Sequence, residues 1–193
     1  MIILLPGTEF VWDDQSSEIL TPSLSWEKIG TERVGNPFVY FSPPNKEFRL
    51  YYSASSVHLN DSRIDEPIYL GLARADSPLG PWTRLSDQPL PLDEGHIDGK
   101  EILGTGSLKL VKTEAVVEEG GRLVALCNRV SLDQSGRTGS SISLLESQDG
   151  GLSWTTALGD LIPPQVDVPN SWKRSYVYGF DTVLGSESRY DSL

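Results

Sequence analysis

The sequence predicts an all-β protein assembled from repeated four-stranded meanders, and three observations carry that prediction. Trp12, Trp82 and Trp154 recur about seventy residues apart, and each is followed by a proline, at Pro22, Pro91 and Pro163. After each proline comes a polar linker and then a glycine-containing apolar run: VGNPFVYF from Val34, LGTGSLKLV from Leu103 and VYGFDTVL from Val177. No window sustains a helical period with caps, because prolines and β-branched residues interrupt every candidate. Such thin sheets bury their faces only against neighbouring copies, which predicts blades packed radially as a β-propeller.

The elements follow in order within each repeat. After the first strand, VGNPFVYF, the break SPPNKE leads into a second, FRLYYSAS. A third, IYLGLARADS, alternates Ile68, Leu70 and Leu72 with Tyr69, Gly71 and Ala73, the period of a strand with two distinct faces. The turn SPLGPW then leads to a short fourth strand carrying Trp82. The next repeat runs LGTGSLKLV, RLVALCNRV, SISLLESQDG and a strand carrying Trp154, with the turn SQDGGLSW supplying the glycines of a tight hairpin. The repeats lie near 34–91 and 103–163, within one domain spanning 1–193. Trp12, Trp82 and Trp154, at repeated outer-strand positions, are expected to be packing residues.

Composition narrows the function. The 193 residues carry 16 basic and 27 acidic side chains, a formal charge of −11, which repels phosphate backbones and anionic membranes. Neither nucleic acid nor membrane is an expected partner. Cys127, the single cysteine, lies in an apolar run and reads as a small buried hydrophobe. The start MIILLPGTEF has no basic region and too short an apolar stretch for a signal peptide, so a cytoplasmic location is expected. No zinc spacing, calcium loop or phosphate loop is present, and no metal or cofactor is expected.

The series NPFVYF, FRLYYSAS and EPIYLGLARADSPLGPW, followed by GTGSLKLV, SSISLLESQDGGLSW and SWKRSYVYGFDTV, resembles the five-bladed β-propeller glycoside hydrolases. These are the arabinanases, β-xylosidases and related family-43-like enzymes. The resemblance runs from about Trp12 to Val183. It implies a substrate pocket on the face where the inner strands begin, an oligosaccharide of arabinose, xylose or related type, and acidic residues early in the inner strands. The chain departs from the family in offering two complete blades with parts of two others. The tail TVLGSESRYDSL lacks a following strand, so a truncated chain is expected, or else self-association of copies through open blade edges.

Glycoside hydrolysis requires one carboxylic acid to protonate the leaving oxygen and one carboxylate to activate water or attack directly. Aligning the inner strands on their glycines sets Phe38, Ser107 and Asp181 at about equivalent points, and only Asp181 is acidic. Asp181 is the first catalytic candidate; its competing role is a strand-start aspartate bonded to backbone. Glu101 and Glu32, each just ahead of an inner strand, are the second carboxylate or else solvated linker charges. Asn36 should face the pocket beside Gly35. The turns HLNDSRIDEP, holding His58 and Asp61, and NRVSLDQSGRTG, holding Asn128, Arg129 and Arg137, are expected to crowd the same side. Trp172, Arg174 and Tyr176 in SWKRSYVYG form the best platform for a sugar ring. A propeller that binds carbohydrate without cleaving it, or that is purely structural, is the alternative.

Overall fold

The computed structural model describes residues 19–28, 33–55, 68–92, 101–113, 122–132 and 138–163. They form eight strands: β1 (Arg33–Ser42), β2 (Glu47–Ser55), β3 (Tyr69–Ala75), β4 (Thr83–Arg84), β5 (Glu101–Thr113), β6 (Leu123–Leu132), β7 (Thr138–Ser147) and β8 (Thr155–Ile162). These make two four-stranded sheets, ordered β1-β2-β3-β4 and β5-β6-β7-β8, with antiparallel neighbours throughout. The protein is thus nearly all-β, two stacked meander blades of an incomplete propeller. Its helical content among the described residues is one 3-10 turn at Ser25–Glu27, and no helix there is long and apolar enough to cross a membrane.

The sheets lie face to face because alternate residues of each strand are apolar. From the first blade come Tyr40, Tyr51, Leu70 and Leu72; from the second, Leu108, Leu110, Ala125, Cys127, Leu145 and Trp154. Together they enclose the main core, with Leu90 of the connecting segment between them. Tyr51 crosses Trp154 edge-on at 5.9 Å and stacks on Tyr40, geometries that aromatic quadrupoles favour. Burial, together with the neighbouring Tyr40, pushes the Tyr51 hydroxyl well above the ordinary tyrosine range, so it stays a neutral donor.

The SQDGGLSW turn rivets the blades together. Burial raises the Asp149 carboxyl, but hydrogen bonds from Ser153, Ser147 and the Leu152 amide outweigh it and lower its pKa. Gly150 and Gly151 take φ of 69° and 90°, a region L side chains avoid. Their carbonyls then face the first blade and accept hydrogen bonds from Arg49 Nη1 at 2.6 Å and Tyr51 Oη at 3.2 Å.

A second cluster covers the other side of the first blade. Trp26, Leu50, Tyr52, Ala54 and Ala73 are buried there, with Leu20, Leu24 and Trp82 against them. Glu27 lies beneath, fully buried, and its oxygens accept from the Ser23 and Leu24 amides, Tyr52 Oη at 2.6 Å and Arg84 Nε and Nη2 at 2.6 and 2.7 Å.

Three details differ from the sequence expectation. Trp82 and Trp154 immediately precede their fourth strands instead of lying within them, since each packs inward at the turn. Asn128 and Arg129 belong to β6, not to a turn, because β6 extends to Leu132 to pair with the long β5. Register also pairs Phe38 with Tyr51 and Ser107 with Asn128. Counting from the matching fourth strands makes Phe38 the counterpart of Lys109, and Ser107 that of Gly35. Bulges at Gly35/Phe38 and Thr105/Ser107 insert residues at points the glycines do not mark.

Candidate functional site

The first strands of the two blades, β1 and β5, begin side by side. Ile68 and Gly104 form a parallel bridge at this end, with the Ile68 amide donating to the Leu103 carbonyl at 2.8 Å. A Cβ on Gly104, whose φ is 139°, would run into the Ile68 carbonyl, so glycine alone permits the approach.

Asn36 sits in the β1 bulge with φ of 51°, a conformation asparagine tolerates better than most residues. The bulge aims its side chain across the seam. Asn36 Nδ2 donates to the Gly106 carbonyl of β5 at 2.6 Å and to Ser53 Oγ at 3.1 Å. On the far side of Gly106 stands Asn128, whose Oδ1 would lie 3.1 Å from a Cβ built on that glycine. Two planar amides therefore flank Gly106, Asn36 exposed and Asn128 buried.

Behind them the second blade is polar. Arg129 is fully buried, paired in the ladder with Thr105 and Ser141, and its Nη1 donates to Thr156 Oγ1 at 2.7 Å. Ser140, Ser141 and Ser143 line the adjoining strand. Burial pushes the Cys127 thiol up to about 12, the Arg129 charge opposing it only in part, so the sulfur is no nucleophile near neutral pH.

Of the residues singled out in the sequence, Asn36 and Asn128 both neighbour Gly106, from opposite sides. Glu101 is exposed at the start of β5, opposite Leu132. Asp181, Glu32, His58, Asp61, Arg137, Trp172, Arg174 and Tyr176 lie outside the described residues, as does Trp12.

The buried carboxylate that sequence reading missed is Glu27. Burial raises its pKa, but the hydrogen bonds from Arg84, Tyr52, Ser23 and Leu24 prevail and hold it at about 2. Each oxygen is occupied, so Glu27 is an ionised structural anchor and not a proton donor. Among the described residues no group of three or more His, Cys, Asp or Glu is placed to hold a metal.

What the seam offers chemically is the exposed Asn36 amide, buried hydroxyls and a buried guanidinium behind it, and one carboxylate on the described inner strands, Glu101. No protein-family model and no curated protein matches the sequence. Among solved structures, the chain is similar to a thermostable family-43 glycoside hydrolase, at 23% identity, with a TM-score of 0.42. The match covers 72% of this chain and 40% of that one.

Proposed function

We propose that the chain is part of a glycoside hydrolase of the arabinanase and β-xylosidase type, binding an arabinose- or xylose-containing saccharide at the mouth between β1 and β5. The observation that carries the reading is Asn36, an exposed amide fixed by the Gly106 carbonyl and Ser53 Oγ where the first strands meet. A planar amide held rigid at an exposed seam is the kind of polar group that orients a sugar hydroxyl. The motif resemblance from Trp12 to Val183 supports the same reading.

In this account Asp181 works with Glu101 or Glu32, one protonating the leaving oxygen and the other activating water or attacking. Turnover of aryl arabinosides and xylosides by the chain is the test. Asp181→Asn should lower it at least about a hundredfold, and Asn36→Ala should weaken saccharide affinity measured by calorimetry. Absence of both binding and turnover with these sugars would remove the proposal.

One observation favours a binding module instead: on β1 and β5, Glu101 is the only acidic residue. Calorimetric binding without any release of aryl alcohol would select that alternative.

A further inference from the structure

The hydrogen bonds around Asn36 run in one direction only, and that direction decides what the residue can still bind. The Gly35 and Gly106 carbonyls have no proton to give. Ser53 Oγ therefore donates its single proton to the Gly35 carbonyl at 3.4 Å, and the hydroxyl oxygen accepts from Asn36 Nδ2 at 3.1 Å. The same nitrogen donates to the Gly106 carbonyl at 2.6 Å. Turned over, the amide would set its own oxygen against that carbonyl, lone pair against lone pair, so only one orientation is stable.

Both amide protons are thus spent inside the protein, one on each blade, since Ser53 belongs to β2 and Gly106 to β5. What remains is Oδ1. It accepts no hydrogen bond among the described residues, and Asn36 is exposed at the seam. Pro37, next in the bulge, has no N–H to satisfy it. The left-handed backbone, with φ of 51°, and the two anchored protons fix where the oxygen stands before any ligand arrives. Asn36 is therefore a rigid acceptor in want of a donor.

We propose that Asn36 determines specificity by accepting the proton of one free sugar hydroxyl at Oδ1, and that Ser53 is its positioning residue. Resting on the saccharide reading above, the assignment narrows it to substrates whose hydroxyl at that point is unmodified. A deoxy sugar leaves Oδ1 without its proton. An O-methyl or O-acyl sugar presses a second acceptor and its bulk against it. An amide with a free N–H could turn a donor toward such an oxygen; this one has spent both protons.

Calorimetry on the full chain with xylobiose and arabinobiose, and with the monodeoxy, monodeoxyfluoro and mono-O-methyl derivatives of each, tests the proposal. Fluorine accepts weakly and never donates. At one hydroxyl of the parent sugar, the deoxy and deoxyfluoro compounds should therefore both bind the wild-type chain about five- to tenfold more weakly. Asn36→Gly keeps the left-handed backbone and removes the oxygen, and circular dichroism checks that the variant keeps its sheet content. In that variant the penalty at the same hydroxyl should vanish. Deoxyfluoro sugars that bind like the parent at every position, or penalties unchanged by Asn36→Gly, would overturn the proposal and leave the saccharide reading standing. Failure of both parent sugars to bind would overturn the two together.

Discussion

Replacing Glu27 by Gln removes the charge at the centre of the anchor beneath the first blade. The carboxyl is held at about 2 against an ordinary value of 4.5, and each pKa unit corresponds to roughly 1.4 kcal/mol. The ionised form is therefore favoured in the folded state by about 3 kcal/mol. Because the folded pKa is the lower one, this stabilisation is complete above 4.5 and is lost as pH falls toward 2. By pH 3 about 2 kcal/mol of it has gone. Glu27→Gln should cost about 3 kcal/mol at pH 7, since Arg84 loses its bidentate partner. Urea unfolding followed by tryptophan fluorescence reads this directly, because Trp26 stacks on Tyr52 at 6.0 Å. The difference between wild type and variant should shrink by about 2 kcal/mol from pH 7 to pH 3. A difference independent of pH would refute the reasoning.

Other consequences follow from close approaches between the blades. Gly151→Ala places a Cβ against the Tyr51 hydroxyl at φ of 90° and should destabilise the protein by about 2–4 kcal/mol in the same urea experiment. Gly104→Ala meets backbone at Ile68 and should lower the midpoint at least as far, whereas Gly35→Ala, with open space around it, should change it little. Cys127 should resist iodoacetamide at pH 8 in the folded protein and react only after denaturation, as its burial and raised pKa require.

The blade pattern was legible because turn and strand chemistry are local. The glycines of SQDGGLSW and the alternation of Leu70 and Leu72 with Gly71 and Ala73 announce hairpin and strand within a few residues. Register was less so: the bulges in β1 and β5 each insert an unpaired residue, and aligning on Gly35 and Gly104 slid Phe38 and Ser107 out of correspondence. Of the site, Asn36 could be found from its place before Pro37 in a strand-leading glycine motif. Asn128 was assigned to a turn but lies in β6, since nothing local separates the end of that strand from the loop that follows. Glu27 was invisible in principle. Its partners Tyr52 and Arg84 stand 25 and 57 residues away, and a buried glutamate looks like a solvated linker charge until the fold brings them together.

Cross-strand contacts measured by nuclear Overhauser spectroscopy on isotopically labelled protein test the central claim most directly. The account predicts two separate four-stranded ladders, Phe38–Tyr51–Leu72 in one and Lys109–Leu126–Leu144–Leu158 in the other, joined at the Ile68–Gly104 and Asn36–Gly106 seams. A continuous ladder running from β4 into β5, with no contact between Asn36 and Gly106, would contradict it.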